Sequence, residues 1–107
     1  MPIYNKLVRD NIPKIIEDSG QKCMVKKLDR VTYIKELKIK LKEEVSEYLE
    51  SKNNEEAVEE LADVLEIIHA LAKIHDKDFD DVEAVRQDKK LKRGGFKEQL
   101  FLVKVDE

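Results

Sequence analysis

Apolar residues along this chain recur mostly at spacings of three and four. Ile34, Leu37, Leu41, Val45 and Tyr48 make one such series; Ala57, Val58, Leu61, Val64, Leu65, Ile67, Ile68, Leu71, Ala72 and Ile74 make a second, wider one. A repeat near 3.6 residues marks one face of a helix. Asp29 is placed to cap the first, running to about Ser51, and Asn54, followed by Glu55 and Glu56, to cap the second, running to about Ile74. The connection, Lys52-Asn53-Asn54, is short and polar, which favours an antiparallel hairpin. Two shorter helices flank it. Asp10-Asn11-Ile12-Pro13 reads as a helix start that Gly20 stops just after Ser19. Asp78 opens another, with Phe79, Val82 and Val85 inward, which ends at Arg93-Gly94-Gly95. Residues 22–28 alternate loosely and residues 96–105 partly, so a minor two-stranded β element pairing them is expected.

The expected fold is therefore an all-α single domain over residues 1–107: an antiparallel helical hairpin with a short third helix. The apolar arc of the second long helix is wider than one neighbour covers, so a homo-oligomer, dimer or tetramer, is expected to complete the bundle.

Composition narrows the class. The 107 residues hold 21 basic and 24 acidic side chains, a net charge of −3, which gives no electrostatic footprint for a nucleic-acid polymer. One cysteine, Cys23, rules out an internal disulfide and suits a reducing compartment. Asp63, Glu66 and His69 interrupt the most apolar stretch, so no membrane span is expected and the expected location is cytoplasmic.

The acidic residues sit where solvation alone explains them poorly. At 100° per residue, Glu43 and Glu50 fall roughly 160° and 180° from the centre of the first stripe at Leu41, and Glu47 roughly 120°, but Glu44 only about 60°. On the second long helix Glu60 lies inside the apolar arc beside Ile67 and Leu71, with Asp63 at the arc's edge. Glu44 and Glu47, and again Glu60 and Asp63, are i, i+3 pairs, each on one ridge. Antiparallel packing turns these ridges toward each other. Two carboxylates about 5 Å apart repel by roughly 3 kcal/mol at an effective dielectric of 20. Such a cluster must take up protons, recruit lysines or bind cations. An all-oxygen ligand set favours a hard ion such as Mg²⁺, whose usual partners are phosphates.

The ordered motifs resemble the all-α nucleotide pyrophosphohydrolases of MazG type. Glu43-Glu44-Val45-Ser46-Glu47 and Glu60-Leu61-Ala62-Asp63 resemble the family's paired acidic motifs. Tyr4-Asn5-Lys6-Leu7-Val8-Arg9-Asp10 with Ile12-Pro13, and Lys89 ahead of Arg93-Gly94-Gly95-Phe96, resemble the opening and closing motifs of a small single-domain branch. The resemblance implies that Glu44, Glu47, Glu60 and Asp63 bind Mg²⁺. It also implies cleavage of a nucleoside triphosphate between its α and β phosphates.

Basic residues fit that expectation. Lys40 falls about 40° from Glu44 on the wheel, so it tempers the acids or reaches a phosphate. Lys89 and Arg93 share a face at i, i+4, and Lys6 and Arg9 are further candidates for phosphate contact. Gly94-Gly95 reads equally as a phosphate nest or a helix end. His69 and His75 are read as packing or capping groups, Cys23 as no nucleophile, and Phe79, Phe96 and Phe101 as core. The rival functions are a phosphoribosyl-ATP pyrophosphohydrolase, a non-catalytic helical interaction module and a nucleotide-sensing module.

Overall fold

In the computed structural model, which describes residues 2–106, the chain folds into four helices: α1 (Ile12–Asp18), α2 (Arg30–Leu49), α3 (Asn54–Ile74) and α4 (Phe79–Arg93). Local chemistry sets their ends. The Asp29 side chain accepts the Thr32 N–H at 2.8 Å, and hydrogen bonding from Thr32 holds its carboxyl below the ordinary value. Asp78 and Asp81 form a reciprocal capping box, with bonds of 3.0 and 3.1 Å, at the start of α4. Gly94, at φ +83°, releases the chain after Arg93. The cap of α3 is Asn53 and not the expected Asn54. Its backbone is extended (φ −152°, ψ 171°), which lets Oδ1 accept the Glu56 N–H at 2.8 Å, while Asn54 is already inside the helix.

The packing of α2 on α3 makes the hairpin that the apolar series predicts. Its register can be followed in steps of seven residues, two helical turns, which return to the same face. The Arg30 guanidinium donates to the Ile74 carbonyl at 3.0 Å, fastening the start of α2 to the end of α3. Seven residues further in on each helix stand Leu37 and Ile67, 4% and 7% exposed, the best buried large side chains. Another seven lead to Glu44 and Glu60. Where the seam next calls for two apolar residues, the sequence supplies two acids.

Beyond this seam the chain covers little of itself. Leu37, Ile67 and Ala72 are its only buried apolar residues among those described, and Val45 and Tyr48 of the expected stripe are exposed. α4 packs on α3 over a short stretch, where Phe79 stacks on His69 with centroids 4.1 Å apart. Val82 and Val85, expected to point inward, are exposed because that contact extends no further along α4. The radius of gyration is 18.4 Å, against about 13 Å for a globule of this length.

The expected β element is not formed among the described residues. Among the described residues there is no strand, and no backbone hydrogen bond joins residues 22–28 to 96–105. A lone two-stranded ribbon is marginal in water unless it rests on a further layer. Neither segment has such support, and Met24 and Phe101 stand open to solvent. No helix among the described residues is long and apolar enough to cross a membrane.

Candidate metal centre

The seam places the acids together. One carboxylate oxygen each from Glu44, Glu60 and Asp63 lie within 4.8 Å of one another, and so do oxygens from Glu43, Glu44 and Glu47. Glu44 belongs to both groups and is itself 8% exposed. The two sets form one acidic strip, from the outer side of α2, through the seam, to α3. Glu44 Oε2 and Glu60 Oε2 are both buried with no hydrogen-bond partner. A buried carboxylate oxygen without a partner is costly unless the group is protonated or a cation satisfies it.

The electrostatics follow from this crowding. Burial, then the adjoining Glu47 and the charge of Asp63, push the Glu44 carboxyl up to about 7, against a pull downward from Lys40. Glu60 is likewise raised, by its removal from water first and by Glu47 and Asp63 after it. Burial and crowding thus favour the protonated form of Glu44 and Glu60.

Two cations reach the strip. Lys40 Nζ lies 3.7 Å from Glu44 Oε1, one helical turn back along α2, as the wheel places it. Arg9, from the segment before α1, crosses to α3 and donates from Nη2 to Asp63 Oδ1 at 2.7 Å. Both count against at most part of the acidic charge: five carboxylates face two cations here. All the donors are carboxylate oxygens, the ligand type of hard divalent ions, and the gap between them is of the width an ion bridges.

The other expected contacts are not brought to the strip. No hydrogen bond or ion pair among the described residues joins Lys6, Lys89 or Arg93 to these acids; Lys6 lies over the Tyr4 ring at 5.7 Å instead. Lys89 and Arg93 are exposed on α4, whose contact with α3 is at its other end. Gly94 ends a helix. His69 packs on Phe79, His75 caps α3, and Cys23 Sγ sits 3.9 Å from the Pro13 carbonyl oxygen.

Glu43 is the acid that the wheel placed in water and the structure draws into the strip. Its signal was the i, i+4 spacing to Glu47, which puts the two about 40° apart on α2 whatever their distance from the apolar stripe. Comparison of the chain with protein-family models, with curated proteins and with solved structures finds no match.

Proposed function

We propose that this chain is a Mg²⁺-dependent nucleoside triphosphate pyrophosphohydrolase that cleaves the α–β phosphoanhydride to yield a monophosphate and pyrophosphate. The observation that carries the reading is the pair of buried, unpartnered oxygens, Glu44 Oε2 and Glu60 Oε2, inside a carboxylate cluster built by two helices. The resemblance of the acidic, opening and closing motifs to MazG-type pyrophosphohydrolases supplies the reaction.

Glu44, Glu60 and Asp63 would hold the ion, with Glu47 beside them on the same ridge of α2. Bound there, Mg²⁺ supplies charge neutralisation for a polyphosphate and a polarised water. The chain's own cations do the rest. Arg9 presents a planar guanidinium at the edge of the cluster, suited to bidentate contact with phosphate oxygens, and Lys40 offers a point charge from the α2 side. The pairing of Arg9 with Asp63 holds the guanidinium in place before a triphosphate arrives. Lys6, Lys89 and Arg93 lie away from the strip and enter the reading as phosphate contacts through the resemblance alone. Dimeric or tetrameric assembly, through apolar surface the chain leaves uncovered, and a cytoplasmic location accompany it.

The test is a panel of nucleoside triphosphates, with phosphoribosyl-ATP included, turned over with and without Mg²⁺ while pyrophosphate and monophosphate are measured together. Equal release of the two products supports the reading. Release of orthophosphate alone contradicts α–β cleavage, and preference for phosphoribosyl-ATP over every triphosphate moves the enzyme to that substrate. Nucleotide binding with no products marks a sensing module, and neither binding nor turnover leaves a helical interaction module.

A further inference from the structure

The chain exposes 10235 Å² of accessible surface, whereas a compact protein of 12.5 kDa exposes about 6,200 Å². The excess, roughly 4,000 Å², exceeds the roughly 800 Å² that each partner buries in an interface of standard size and is of the class found in obligate assemblies. Two pieces of this surface are apolar and have matching dimensions. The first is a stripe on α3. Val58, Leu61 and Leu65 are exposed and fall within about 60° of one another on the wheel, on the side of the helix opposite Ile67 and the seam. The stripe continues to His69 and Ala72, where Phe79 covers it, and is bare from Leu65 toward the α2–α3 turn.

The second piece is the segment after α4. A turn over residues 96–98 redirects the chain, and residues 99–105 have no helix or strand of their own. Within it Leu100, Phe101, Leu102 and Val103 are consecutive apolar residues, 90%, 89%, 78% and 84% exposed. Four residues in extended form cover about 10 Å. The stripe from Val58 to Leu65 is about 10.5 Å long.

We infer that residues 99–105 are an assembly arm, which seats on the Val58–Leu61–Leu65 stripe of a second copy of this chain. The exposure of both pieces shows that the chain does not close the arm onto its own stripe. Because one chain carries both the arm and its receptor, two copies related by a two-fold axis cover both pieces twice, and no bare set remains. A run apolar on both of its faces also needs cover on two sides, which a helix stripe and the adjoining surface of the same partner provide. Such an arm would make the assembled state proposed above. It is independent of the chemistry, since no nucleotide or metal enters it.

The test measures solution mass by light scattering for the unaltered chain and for Phe101→Asp, Leu102→Asp and Leu61→Asp, with helix content followed by circular dichroism. An oligomer is expected for the unaltered chain, and a fall to the single-chain mass of 12.5 kDa for each variant with its helix content kept. Cross-linking tests the contact without a disruptive charge: in a Cys23→Ser background, a Leu102→Cys chain is mixed with a Leu61→Cys chain and oxidised. A disulfide between the two chains supports the arm. A monomeric unaltered chain overturns both the arm and the assembled state. An oligomer whose mass the arm variants leave unchanged, or a mixture that forms no Leu102→Cys to Leu61→Cys link, overturns the arm alone.

Discussion

Glu44 and Glu60 stand level with each other across the α2–α3 seam, two helical turns beyond the Leu37–Ile67 pair, and each keeps a buried carboxylate oxygen with no hydrogen-bond partner. Two acids in that position oppose the packing that holds them. Oxygens in that state are satisfied by protons or by a bound cation, and a ligand site differs measurably from a defect of packing.

Glu60→Gln and Glu44→Gln each keep the shape of the side chain and remove its charge. Loss of one ligand is expected to lower Mg²⁺-dependent turnover by at least the roughly 10–100-fold that loss of a ligand's outer-shell partner costs. At pH 8, above the raised Glu44 value, the same changes relieve repulsion in the metal-free protein, so its thermal midpoint there should rise. Activity lost together with stability gained distinguishes a ligand from a structural residue; unchanged turnover in Glu60→Gln removes it from the site.

The stability of the metal-free protein should fall as pH rises. Folded Glu44 keeps its proton up to about pH 7, whereas its ordinary value is 4.5. Between those values the folded state binds more protons than the unfolded one, so the stabilisation is complete below 4.5 and is lost on passing through 7. Glu60, raised in the same direction, adds to the trend. Denaturant midpoints at pH 5 and pH 8, without metal, read this directly, and Glu44→Gln should flatten the difference.

Magnesium should reverse that dependence, because it binds the deprotonated acids. At 100 times its dissociation constant, a ligand specific to the folded state stabilises it by about 2.7 kcal/mol. The rise in thermal midpoint on adding Mg²⁺ is expected to be larger at pH 8 than at pH 5, and chelation should abolish it. A Mg²⁺ effect equal at both pH values would show that the ion acts elsewhere.

Arg9→Ala is expected to divide binding from folding. The Arg9–Asp63 pair is substantially open to solvent, and exposed pairs contribute up to about 1 kcal/mol, so the fold should hardly change. If the guanidinium meets phosphate oxygens, KM for a triphosphate rises while helix content stays constant. An unchanged KM would leave Arg9 as a partner of Asp63 only.

Leu37→Ala probes the seam itself. Leu37 is 4% exposed, in the layer that sets the level of the acids, and its truncation should cost about 2–5 kcal/mol by chemical denaturation. Ile39→Ala, on an exposed position of the same helix, is the control and should cost far less.

The hairpin could be read in the sequence because its signals are local. Helix faces repeat over three and four residues, caps act within a single turn, and a short polar turn between two long helices leaves little choice of arrangement. The elevation of Glu44 and Glu60 onto apolar faces came from the same periodicity, as did the reach of Lys40 to Glu44. The one-residue shift of the α3 cap from Asn54 to Asn53 turned on backbone angles, which two neighbouring asparagines do not reveal.

Residue order alone thus dictates the all-α hairpin, its boundaries to within a residue or two, and the side chains that must crowd one another once the helices meet. Tertiary structure alone decided the register that sets Glu44 level with Glu60, the crossing of Arg9 to Asp63 and the entry of Glu43 into the acidic strip. It also left Lys6, Lys89 and Arg93 away from the strip, and residues 22–28 and 96–105 unpaired. The reason is range: periodicity and capping act over a few residues along one helix, whereas register and contacts between distant segments depend on which surfaces pack, and in this chain much of that surface remains uncovered.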